Sequence, residues 1–230
     1  MSNKTINRIG FYLIFAVLFV HSCNDINGKH HFSEHQKNTP IDLFESDSSK
    51  YSNYSLEELL INLSNKALQI GDLEFDTLRA NWIGHSPATD QEILLAEKRL
   101  NVELPEDYKE FLKISNGFPD VNGIEPSFIP INEIDYLYNS IPLLVEIWGS
   151  KSPYETQNGD KYDRAILVGG LHEEQQFLLI PPAHEYAEWE YWKFASWIPG
   201  EEVYGSLRSY LVSSLDFCDY LIKEEKVLTE

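Results

Sequence analysis

The stretch VELPEDYKEFLKISNG, residues 102–117, constrains the fold most, because local rules specify both of its ends. Pro105 suits the first helical position, where a missing N–H costs nothing. Glu106 and Asp107 follow in the first turn, where carboxylates oppose the positive end of the helix dipole. Tyr108, Phe111, Leu112 and Ser115 then share one face, and Asn116-Gly117 offers a left-handed cap. A compact helix is therefore expected, ended by a forced turn and carrying an aromatic face that must find a partner.

Its neighbours carry equally local signals. Ser55-Leu-Glu-Glu58 is a capping box, followed by Leu56, Leu59, Leu60, Leu63, Ala67 and Ile70 at helical spacing, with Gly71 as the stop. Thr89-Asp-Gln-Glu92 is a second box, opening a helix with Ile93, Ala96, Glu97 and Leu100 on one face. Downstream, Phe128–Ile131 reads as a strand running into a short helix with Ile134, Leu137 and Tyr138. LLVEIWG, residues 143–149, fits a strand or a helix. Residues 165–170, 176–182 and 188–196 read as three consecutive strands, hence an antiparallel meander. Leu207, Leu211, Leu215, Cys218, Leu221 and Ile222 mark a long closing helix. Helices, then strands, then a helix predict an α+β domain over residues 54–230, mainly antiparallel sheet packed with N-terminal helices and a closing C-terminal helix.

Residues 1–22 read as a signal peptide: Lys4 and Arg8 precede a short apolar run, Ile9–Val20, against the roughly 20 residues a membrane span needs. Val20-His21-Ser22-Cys23 resembles a bacterial lipobox, which implies lipid attachment at Cys23 and a place in the cell envelope, on the periplasmic or surface side. Plain secretion by cleavage near Ser22 is the competing reading. His21 departs from the usual small or aliphatic residue at its position. Residues 23–53 are polar and aperiodic and read as a flexible tether. A Cys23–Cys218 disulfide is formally open, but Cys218 falls in an apolar helical pattern and reads more simply as a buried thiol.

The formal charge of −19 and the lack of a basic stripe argue against a nucleic-acid ligand. Removing residues 1–22 takes away two positive charges and no acid, leaving −21. No GxSxG, phosphate-loop or dinucleotide glycine pattern occurs. His172-Glu-Glu-Gln-Gln176 begins like the zinc-protease HExxH, but Gln176 stands where the second ligand belongs. His30, His31 and His35 lie in the tether with no cysteine or ordered carboxylate beside them. No catalytic residue, metal or cofactor is expected. Glu97, near a helix end, is placed to accept backbone N–H groups of the next helix.

Taken together, Ile93, Glu97, Leu100, Leu104, Pro105, Tyr108, Phe111, Leu112, Asn116 and Gly117 resemble the SUKH superfamily, the Smi/Knr type of cell-wall regulators and bacterial immunity proteins. Pro130 and Ile131 fit its next element, and Trp82 and Gly84 an upstream pattern. Members commonly carry a glycine where this chain has Asn101, which also tolerates a left-handed turn. The resemblance implies binding rather than catalysis: a toxin-neutralising immunity protein or, alternatively, an envelope scaffold or binding lipoprotein without a toxin partner. The surface nominated for that partner is Tyr186, Glu188, Trp189 and Glu190, where acids alternate with aromatic residues. Ordinary strand alternation, with one aromatic face inward, explains the same pattern.

Overall fold

The structure is a computed structural model that describes residues 50–71, 81–154, 156–195 and 200–229. Residues 1–22, read above as a signal peptide, Cys23, and His30, His31 and His35 lie outside the described residues. Among the described residues three helices come first: α1 (Leu56–Ile70), α2 (Asp90–Leu100) and α3 (Glu106–Ile114). Both capping boxes form. Ser55 Oγ accepts from the Glu58 N–H at 3.2 Å, and Thr89 Oγ1 from the Glu92 N–H at 3.2 Å. Each is worth about 1 kcal/mol against alanine. Gly71 and Asn101 close their helices in the left-handed conformation, with φ of 74° and 51°.

The helix of the opening stretch forms one residue later than its Pro105 implies. Pro105 has an extended ψ of 144° and is the N-cap residue, so the first helical residue is Glu106. Its other end differs too. Ser115, with φ −148°, leaves the helix extended, and the left-handed residue is Gly117 alone, at φ +89°. Asn116 instead accepts the Ile131 N–H on its side-chain oxygen at 2.7 Å. A side chain at Gly117 would meet the Phe128 carbonyl at 2.9 Å, because Phe118 and Phe128 exchange two backbone hydrogen bonds there.

Residues 128–131 do not form the expected strand. Phe128 makes isolated bridges to Phe118 and Gly169, and Pro130, with no N–H to donate, cannot extend them. The first strand is β1 (Asp135–Tyr136), followed by three short helices, α4 (Leu137–Ser140), α5 (Pro142–Trp148) and α6 (Gly159–Arg164). LLVEIWG is therefore helical. The meander follows as β2 (Ile166–Gly169), β3 (Gln175–Ile180), β4 (Glu190–Ala195) and β5 (Glu201–Tyr204), before the closing helix α7 (Leu207–Thr229). The five strands pair antiparallel in sequence order. Three of the four meander strands match the expected ones; β5 was not anticipated.

The sheet is covered on both faces. On one, α1, α2, α3 and α7 pack over Ile166, Val168, Phe177, Leu179 and Tyr191. On the other, Leu137, Tyr162, Trp192 and Phe194 form a second, smaller cluster with partly buried residues of α5. This double coverage explains why β2 and β3 are buried at every position and read as unbroken apolar runs instead of alternating ones. Cys218 of α7 is a free, fully buried thiol, which burial pushes up to about 12.

The fold also reaches further toward the N-terminus than residue 54. Tyr51 is buried, and its hydroxyl donates to Asp219 Oδ2 at 2.8 Å. Lys50 and Lys66 pair with the same carboxylate. Residues 50–53, read as tether because of their polarity, belong to the domain because Tyr51 is buried in the main core and bonds to Asp219 of α7. Among the described residues no helix is long and apolar enough to cross a membrane.

Candidate functional site

The residues that matched the family pattern tie the helical layer to the sheet. Glu97 Oε1 accepts the Leu104 N–H at 2.9 Å, so it braces the loop just ahead of α3. Asp107 takes the Tyr191 hydroxyl on one oxygen and the Leu207 N–H on the other, at 3.0 Å. It thereby joins the start of α3 to β4 and to the first turn of α7. Ile93, Leu100, Leu104, Tyr108, Phe111 and Leu112 are buried side by side in the helical face of the core. Gly84 packs so closely that a Cβ would lie 2.5 Å from the Trp82 ring and 2.6 Å from Ser115 Oγ.

That bracing leaves an open cleft beside the motif. Val102, Leu104 and Pro105 form one wall, and Pro181, Pro182 and Trp189 the other, around a volume of about 420 Å³. Glu103 and Glu106 stand on its rim, with side chains 83% and 85% exposed. Lys109 lies between acids, 2.6 Å from Glu106 and 3.6 Å from Glu97 and Glu103. The bond to Glu106 raises its ammonium above the ordinary range, with partial burial opposing. Three carboxylates thus surround one ammonium, and the rim stays negative.

The nominated surface residues separate. Residues 186–189 lie outside β4, which starts at Glu190, so strand alternation does not govern them. Tyr186 is 87% exposed in a turn, and Glu188 is exposed. Trp189 is half-buried against the helical face and forms the cleft wall. Glu190 is turned to the opposite face, paired with Lys161 at 2.8 Å and accepting the Trp192 indole N–H at 2.9 Å. Of the four, Trp189 alone reaches the cleft. Its partners there, Glu103 and the Pro181-Pro182 pair, were not nominated; two prolines directly after a buried strand were the available signal.

His172 occupies the turn between β2 and β3 with φ +69°, while the buried Gln176 is on β3 and donates to the Glu173 carbonyl at 2.8 Å. Among the described residues, no group of three or more His, Cys, Asp and Glu is placed to hold a metal ion.

An antiparallel sheet braced by a helix-loop motif, with an open, acid-rimmed cleft beside it, defines an α+β domain. The model of the SMI1/KNR4 family (SUKH-1) matches residues 87–220, over half of the sequence, and the chain belongs to that family. The family is one associated with toxin immunity. No individual curated protein matches the chain.

Proposed function

We propose that the chain is a non-catalytic immunity protein that binds and neutralises a secreted bacterial toxin, held at the cell envelope by a lipid on Cys23. Family membership carries this reading. Two further observations support it. The cleft beside the motif is wide and open, as a contact surface is, and its tryptophan has carboxylates on the rim around it. The N-terminal 23 residues have the charge, apolar length and terminal cysteine of a lipoprotein leader. A binder anchored in this way meets its partner outside the cytoplasm. The toxin then either attacks the envelope or is intercepted before it crosses.

The test is deletion of the gene in the producing strain, followed by competition with the parent. Deleted cells should be inhibited by contact with the parent, and the full chain should restore protection. Deleted cells that compete equally would overturn toxin neutralisation and leave an envelope scaffold or binding lipoprotein as the reading. The anchor has its own test. Cys23→Ala should abolish labelling by a fatty-acid analogue and move the protein to the soluble fraction; membrane retention without change would reject lipidation.

A further inference from the structure

From the cleft we infer what it accepts: the guanidinium of an arginine on the toxin partner, stacked on Trp189 and paired with Glu103. This inference rests on the toxin-binding reading for the identity of its partner, and on the cleft geometry for everything else. The lining brings the Trp189 indole together with Pro105, Pro181 and Pro182, which have no N–H to donate. Apart from the single indole N–H, the side chains of this lining offer an apolar seat and no donor to an anion. Among the described residues, no acceptor engages the Trp189 indole N–H, so no internal bond fixes the ring edge.

The charges select the sign of the occupant. Two nearby cations are already occupied: Lys109 by Glu106 at 2.6 Å, and Arg164 by Asp160 and the Pro181 carbonyl at 2.6 and 2.8 Å. Glu103 is only loosely held, 3.6 Å from Lys109, and is 83% exposed on the rim. It is the carboxylate left for an incoming cation. Arginine fits better than lysine for two reasons. Its planar, weakly hydrated guanidinium stacks on an indole while its fork still reaches a carboxylate, whereas an ammonium keeps its water and makes one point contact. A site between prolines rewards the ion that sheds water more readily.

The experiment uses the full chain in a zwitterionic detergent, with ¹⁵N-labelled tryptophan. Five indole N–H signals are expected, and Trp189→Phe assigns the relevant one. Hexa-arginine should shift that signal saturably, about fivefold more tightly than hexalysine of equal charge, and Glu103→Gln should weaken hexa-arginine about threefold, in the range of a partly exposed charge contact. No movement of the Trp189 signal, equal response to both peptides, or an unchanged affinity in Glu103→Gln would each overturn the inference. The two proposals also fail separately. A captured toxin whose affinity ignores Glu103→Gln removes the arginine site and leaves neutralisation standing. Selective hexa-arginine binding in a chain that gives no protection does the reverse.

Discussion

The two faces of the sheet are built differently. The helical face, under α1, α2, α3 and α7, holds a deep core in which Leu59, Tyr108, Phe111 and Leu215 are wholly enclosed. The opposite face carries only a small cluster around Tyr162, Trp192 and Phe194, and its longest helix, α5, has no fully buried residue. Leu143 of α5 is 61% exposed. The same strands serve both faces, so the inequality comes from the helices: longer and amphipathic on one side, shorter and peripheral on the other. Stability should therefore be concentrated on the helical face, where the family motif also lies.

The largest test of that asymmetry is Phe111→Ala. The ring is fully buried, stacked on Tyr108 at 5.8 Å and set against Phe128 at 5.0 Å. Its loss should cost about 3–5 kcal/mol in denaturant unfolding. A cost below about 1 kcal/mol, the size expected of a surface change, would move the stability elsewhere.

Alkali should attack the same face next. The Cys218 thiol and the Tyr51 hydroxyl are both pushed up to about 12, the thiol by burial, the hydroxyl by burial and then by its bond to Asp219. The unfolded chain releases these protons first. The stability they represent is thus complete below pH 9 to 10 and is lost as pH rises toward 12, by at most about 1.4 kcal/mol per unit for each group. Unfolding free energy that stays flat from pH 9 to 11.5 would contradict this.

Gly117→Val should cost about 1–3 kcal/mol, the usual size of forced left-handed backbone for a branched residue. The added Cβ, 2.9 Å from the Phe128 carbonyl, should also disturb the pairing that docks the motif on the sheet. Slower amide exchange, or a rise in melting temperature, would show that the turn relaxes freely. The smallest effect is expected at Leu143→Ala, within about 0.5 kcal/mol, as for an exposed position. A large loss there would mean that the thin face contributes more than its burial indicates.

Much of this fold was legible because the signals are local. The capping boxes at Ser55 and Thr89, and the left-handed stops at Gly71 and Asn101, each depend on residues within one or two turns. The three apolar runs of the meander identified themselves by composition. The strand β5 did not, since Glu201-Glu202-Val203-Tyr204 has the polarity of a loop. It becomes a strand by pairing with β4, while Tyr162 and Asn158 hold Glu201 and Lys193 holds Glu202. At the candidate site Trp189 was legible as an aromatic among acids. Its association with Glu103 was not, and neither was the diversion of Glu190 to Lys161.

By itself, the sequence determined the ends of α1 and α2, the α+β class and the family, because caps, periodicity and motif spacing are properties of neighbours along the chain. Only the tertiary structure decided which polar groups would be buried partners. Glu125, an unremarkable loop residue, is enclosed with Lys193 at 3.0 Å and the Tyr210 hydroxyl at 2.9 Å. Burial pushes the Lys193 ammonium down, but Glu125 and Glu202 more than offset this and leave it raised. Asp107 likewise meets Tyr191 and Leu207 only after folding. The side-chain contacts of Glu125 and Asp107 join residues 68 to 100 positions apart. A charge removed from water keeps its ionised form only where the fold supplies the counter-charge or donor, and no local pattern encodes where that partner will be.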